Sequence, residues 1–129
     1  MKIFIVQCVL TFLLLSYSGC ASSKQFVAVP PGLDRQKVPT RTVEMTAERF
    51  RFIPDTIRVK AGTLVEIDLK SVNGTHGFEL GAFGIDETLS EGESKTIEFF
   101  AKEEGQYTFR CSHFCGIGHF DMKGIIIVD

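Results

Sequence analysis

The 129-residue chain has no tryptophan, four prolines and only four cysteines. It also lacks a strong excess of either charge. Its formal net charge of −2 is not that of a nucleic-acid binder, which relies on a strongly basic surface. The main apolar run, IFIVQCVLTFLLL at residues 3–15, falls short of the roughly 20 residues that a membrane-spanning helix needs. Apolar residues spaced three and four apart, the mark of an amphipathic helix, are nearly missing too, as are repeats and low-complexity stretches. What is there is the composition of an ordinary globular protein, 44% hydrophobic and 23% charged, in a length that suits one domain with a buried core.

The apolar run follows Lys2 and has the length of the hydrophobic region of a signal peptide. It leads into SYSGCASS, where Ser18 and Gly19 before Cys20 resemble a bacterial lipobox, in which the cysteine becomes the lipidated first residue of the mature protein. The expected organisation is a signal peptide over residues 1–19, a lipid-anchored tether over 20–40 and a folded domain over 41–129. The tether stretch is punctuated by Ser, Pro and Gly and would reach on the order of 25 Å as a flexible chain. This places the domain outside the cytoplasm, in the periplasm, attached to a membrane through Cys20. Cys8 then leaves with the signal peptide, and only Cys111 and Cys115 remain in the domain, in an oxidising compartment.

From Arg41 onward apolar and polar residues alternate. In TLVEIDLKS, Val65, Ile67 and Leu69 fall on one face of a strand and Glu66, Asp68 and Lys70 on the other. Turns are expected at Pro54, Ala61-Gly62, Asn73-Gly74 and Glu103-Glu104-Gly105. QYTFRC places Tyr107, Phe109 and Cys111 on one face, and GIIIVD reads as a buried closing strand. Short strands at regular spacing predict an all-β sandwich. Charge is unevenly spread along it. Residues 24–60 hold eight basic and four acidic side chains, and residues 61–129 hold five basic and twelve acidic. The acidic half is either a solvated face or a docking surface for a basic partner.

The chemistry concentrates in CSHFCGIGHFDM, residues 111–122. A disulfide between Cys111 and Cys115 is sterically possible if the loop turns, but it closes a very small ring and leaves His119 and Met122 without a role. Zinc accepts Cys and His at about this spacing, with His76 as a further donor, yet a thioether is a poor zinc ligand. Sulfur, imidazole and thioether together suit copper, the softer ion, and a second thiolate lets two sulfurs bridge two coppers.

Read as C-S-x-x-C-x-x-x-H-x-x-M, this loop resembles the binuclear CuA loop of cytochrome c oxidase subunit II and nitrous oxide reductase. Upstream, His76-Gly77-Phe78 is similar to that family's His-Ser-Phe segment, and the likeness runs from about Thr63 to Asp129. It implies a cupredoxin fold, a Greek-key β-sandwich. It implies copper as the cofactor, two ions in a CuA-type centre. Cys111 and Cys115 would be the bridging thiolates, His76 and His119 would each bind one copper, Met122 would be a weak thioether ligand, and His113 would offer its backbone carbonyl. The imidazole of His113 binding copper itself, in a mononuclear site, is the alternative there. The implied function is electron relay to or from a terminal oxidase or reductase, without catalysis by the chain alone. The implied partners are cytochrome c, another redox protein or a terminal oxidase. A copper carrier for such enzymes and a subunit II-like component of an oxidase complex are the competing readings. The family takes electrons in through a Trp-containing patch; with no Trp here, Phe114 and Phe120 serve either as an apolar contact patch or as core.

Overall fold

A computed structural model describes residues 28–129. The apolar run, Cys20 and the first part of the expected tether lie outside the described residues. Nine strands follow in order: β1 (Thr40–Glu48), β2 (Arg51–Ile53), β3 (Thr56–Val59), β4 (Thr63–Ser71), β5 (His76–Leu80), β6 (Ile85–Leu89), β7 (Ser94–Ala101), β8 (Gly105–Arg110) and β9 (Lys123–Val128). Two single turns of 3₁₀ helix, Gly81–Phe83 and His119–Asp121, complete the described elements. The strands form a four-stranded sheet ordered β2-β1-β4-β7 and a five-stranded sheet ordered β3-β9-β8-β5-β6. Pairs β1/β4 and β3/β9 are parallel, and the other pairings are antiparallel.

The expected all-β sandwich is present, and its alternation is the one read from the sequence. Val65, Ile67 and Leu69 are fully buried on β4, while Asp68 and Lys70 face solvent. Phe52, Phe78 and Phe109 meet at the centre with ring centroids 5.1–5.8 Å apart. Such aromatic contacts add to the burial term. The closing strand is less buried than expected. On β9 Ile126 and Val128 reach the core, whereas Ile125 and Ile127 are half-buried on the outer face, as a period of two requires. The segment VEMTAERFRFIP folds back on itself as the β1–β2 hairpin. Strand β6 was not anticipated, because its segment IDETL carries two acids and buries only Leu89.

Residues 28–39 lie against the domain. The Phe100 N–H of edge strand β7 donates to the Ala28 carbonyl at 2.8 Å, and Leu64 N–H donates to Pro39 O at 2.9 Å. Arg35 makes two 2.7 Å bonds to Glu98. Paired in this way, the open edge of β7 is partly covered.

Candidate metal centre

The candidate residues converge at one pole of the sandwich. His76 is the first residue of β5 and Cys111 follows the last residue of β8. Met122 stands directly before β9. The β8–β9 ladder aligns Arg110 with Lys123, and the Cys111 N–H donates to the Met122 carbonyl at 2.9 Å. One more rung thus pins both ends of the intervening loop.

Inside this frame the Cys111 and Cys115 sulfurs are 3.7 Å apart. Cys115 Sγ is 3.8 Å from His119 Nδ1 and 3.9 Å from Met122 Sδ. The two sulfurs and a ring nitrogen of His76 all lie within 4.8 Å of one another. Cys111 Sγ also sits 3.1 Å from the His113 carbonyl oxygen. The side chain of His113 points to solvent, so this residue reaches the centre by its backbone.

His76 is fully buried, and its Nε2–H donates to the Asn73 carbonyl at 2.6 Å. That bond sets the tautomer and leaves Nδ1 as a lone-pair donor. Nδ1 is buried with no hydrogen-bond partner. An unsatisfied buried polar atom costs about 1–3 kcal/mol, so it needs a ligand to account for it. Nearby, burial, followed by the hydrogen bond and charge from Cys111, pushes the Cys115 thiol up to about 11, while Arg49 acts in the opposite sense. At neutral pH a metal ion binding Cys115 displaces its thiol proton.

The structure gives several further residues of these motifs a supporting role. Gly77 N–H donates to Cys111 Sγ at 3.4 Å, and a Cβ on Gly77 would stand 2.5 Å from the His113 nitrogen. Only a glycine lets β5 pass this close to the loop. Its place between His76 and Phe78 was the available signal. Ser112 Oγ donates to Asp86 Oδ1 at 2.5 Å, tying the loop to β6. Phe114 and Phe120 are 66% and 82% exposed, which settles them as surface and not core. Both rings flank His119, at 5.4 Å for Phe114 and 5.1 Å for Phe120, and Ile117 in the same loop is 97% exposed.

Two sheets with a His, Cys, Cys, His and Met set at one pole define a cupredoxin. The chain matches the Cupredoxin-like domain family over residues 8–128 and belongs to it. It is 32% identical over 87 residues to cytochrome c oxidase subunit 2 of Thermus thermophilus, an alignment that takes in 67% of this chain and 64% of that protein. It is 28% identical over 92 residues to nitrous-oxide reductase of Ralstonia nicotianae, covering 68% of this chain and 14% of the reductase. The chain therefore spans less than two thirds of either relative. Among solved structures, a heme-copper terminal oxidase dimer aligns with a TM-score of 0.67 at 24% identity, over 75% of this chain and 69% of that one. The periplasmic domain of subunit II of cytochrome oxidase from Bradyrhizobium japonicum aligns with a TM-score of 0.63 at 19% identity, over 68% and 83%. These two likenesses establish the fold.

Proposed function

We propose that this chain is a copper-binding electron-transfer protein with a binuclear, CuA-type centre. The observation that carries the reading is the pair of sulfurs 3.7 Å apart with the unpartnered Nδ1 of buried His76 beside them. Cys111 and Cys115 would bridge two copper ions, His76 and His119 would each hold one, and Met122 and the His113 carbonyl would be the weak outer ligands. Copper held there supplies one-electron redox chemistry. The protein holds the donors in place before metal arrives, through the Asn73 carbonyl on His76, the Gly77 N–H on Cys111 and the pinned loop ends. The exposed rings of Phe114 and Phe120 on either side of His119, with exposed Ile117 in the same loop, would receive a redox partner, such as cytochrome c or a terminal oxidase. Membrane attachment through a lipidated Cys20, in the periplasm, completes the reading. Among the described residues no helix is long and apolar enough to cross a membrane.

The test is copper per chain together with the electron paramagnetic resonance spectrum of the loaded protein. Two coppers per chain with hyperfine splitting spread over both nuclei support the binuclear centre. One copper with localised splitting refutes it. A copper carrier is the second reading. It is favoured by a groove of about 270 Å³ beside the centre, lined by Cys111, Ser112, His119, Phe120, Glu79 and Arg110, which borders two of the candidate ligands, Cys111 and His119. The metal-binding domain of a Cu(I)-exporting P-type ATPase of Streptococcus pneumoniae, solved with Cu(I), shares the fold with a TM-score of 0.60 at 24% identity. Rapid transfer of copper to a second apo-protein, without electron exchange with cytochrome c, would decide for the carrier.

A further inference from the structure

Between Cys115 and His119 the chain has to turn within three residues, Gly116-Ile117-Gly118. Gly116 has φ +135, a conformation that residues with a side chain rarely adopt. Gly118 has φ −86, which suits any residue, so backbone conformation does not explain its missing side chain. Space does. A Cβ on Gly118 would collide with the ring and Cβ of Phe50, the latter at 2.7 Å. A Cβ on Gly116 would lie 2.8 and 2.9 Å from Cε1 and Cζ of the same ring. The Phe50 ring therefore lies lengthwise beneath the loop, its far edge under Gly116 and its near edge under Gly118. Ile117, between them, projects outward.

Phe50 belongs to the β1–β2 turn, on the other sheet from the ligands. The same turn reaches the third donor as well. Arg49 N–H donates to Asn73 Oδ1 at 2.8 Å, and the Asn73 carbonyl holds His76 Nε2. The buried core is already filled by Phe52, Phe78 and Phe109, whereas Phe50 is half-buried and flanks it.

We propose that Phe50 is a positioning residue for the metal centre: its ring is the floor that sets the Cys115–His119 span and hence the 3.8 Å separation of Cys115 Sγ and His119 Nδ1. This rests on the metal reading of the site given above. Phe50 acts on the ligands through the two glycines that its ring underlies. Removing the floor lets the loop sample other shapes, and the ordering that the fold now provides in advance would fall on the metal instead.

The test compares Phe50→Leu, Phe50→Ala, Gly118→Ala and the double variant Phe50→Ala/Gly118→Ala, each as the full domain. Thermal unfolding followed by circular dichroism establishes that each is folded. Copper content, the paramagnetic resonance spectrum, the reduction potential and the rate of copper loss to a chelator are then read. Phe50→Leu is expected to stay folded, to show altered copper hyperfine splitting and to lose copper about 10- to 100-fold faster, the range typical of groups that support metal ligands. Gly118→Ala should do the same, because its new methyl meets the ring. The double variant should recover part of the loss, since alanine at 50 removes the two ring atoms closest to that methyl and leaves only the Cβ contact at 2.7 Å to relax. Unchanged spectrum, potential and release rate in Phe50→Leu overturn the proposal. So does a double variant whose loss is the sum of the two single losses. If the wild type takes up no copper, the metal reading itself falls. The floor is then judged on the metal-free protein, where sharp Gly116 and Gly118 amide resonances that broaden in Phe50→Leu uphold it and unbroadened ones overturn it.

Discussion

The two poles of the sandwich are built to opposite rules. They lie roughly 26 Å apart by the rise along β4 from Thr63 to Ser71. At the pole where β4 begins, polar groups are matched. Ala61 N–H donates to Asp129 O, Asp129 N–H to Val59 O and Gly62 N–H to Ala101 O, at 2.9, 3.1 and 2.7 Å. Arg58 pairs with Asp129 there as well. At the other pole a buried imidazole nitrogen has no partner, two free thiols face each other, and three large apolar side chains stand in solvent. The first arrangement is what stability alone selects. The second costs stability, and it makes sense only if something binds there. Both poles hang from the same strands, so the closed end and the two-sheet core hold the open end rigid.

The largest effect expected from disturbing this contrast is at the open pole. Cys115→Ser should remove one bridging sulfur, reduce copper to one or none per chain and abolish the shared hyperfine pattern, while thermal unfolding stays cooperative. Two coppers with an unchanged spectrum in this variant would sink the binuclear reading.

Next come paired glycine substitutions. Gly77→Ala forces a methyl against Ser112 and His113, and should cost about 1–3 kcal/mol by overpacking, together with loss or distortion of the copper signal. Gly62→Ala at the closed pole has open space around it but φ +84, and should cost about 1–2 kcal/mol in backbone strain with the copper spectrum untouched. Denaturant titration and paramagnetic resonance on both variants measure the contrast directly. Equal spectral change in the two would erase it.

Met122→Leu is subtler. Met122 is buried, and a leucine of similar volume should change stability by less than about 1.5 kcal/mol. Copper should be retained and its potential shifted, as expected when a tuning ligand is replaced. An unchanged potential in voltammetry would make Met122 packing only.

The smallest effect is far from the centre. The hydrogen bond and charge of Arg35 hold the Glu98 carboxyl below its ordinary range. A lowered folded pKa means that this stabilisation is present above the unfolded pKa and is lost as pH falls through the folded one. Glu98→Gln should therefore give a slight loss of melting temperature at neutral pH that vanishes in acid, with copper binding unaffected. A loss that persists in acid would show that the pair does not act through charge.

The fold and site are most legible in the sequence where information is local. The alternation in β4 and β8, the turn at Asn73-Gly74 and the spacing of Cys111, Cys115, His119 and Met122 were all legible, because period and spacing translate directly into faces and loops. β6 escaped because an edge strand that buries only Leu89 has little apolar signal. The patch around His119 escaped in part because Phe114 and Phe120 suit a core as well as a surface, and only packing tells the two apart.

By itself the sequence determined the kind of donor atoms, their order in the loop and the strand-rich character of the domain. These depend on residue type and short spacing. The tertiary structure decided the rest. It brought His76 to sulfurs more than thirty positions away and assigned its Nε2 to Asn73, leaving Nδ1 for a ligand. It slid Phe50 from the opposite sheet beneath Gly116 and Gly118, and it tied Ala28 and Arg35 to β7 and Pro39 to β4. The physical reason is common to all of these. Contacts between distant segments are set by strand order and register across two packed sheets, and no local pattern encodes which side chain will arrive from the other side of the core.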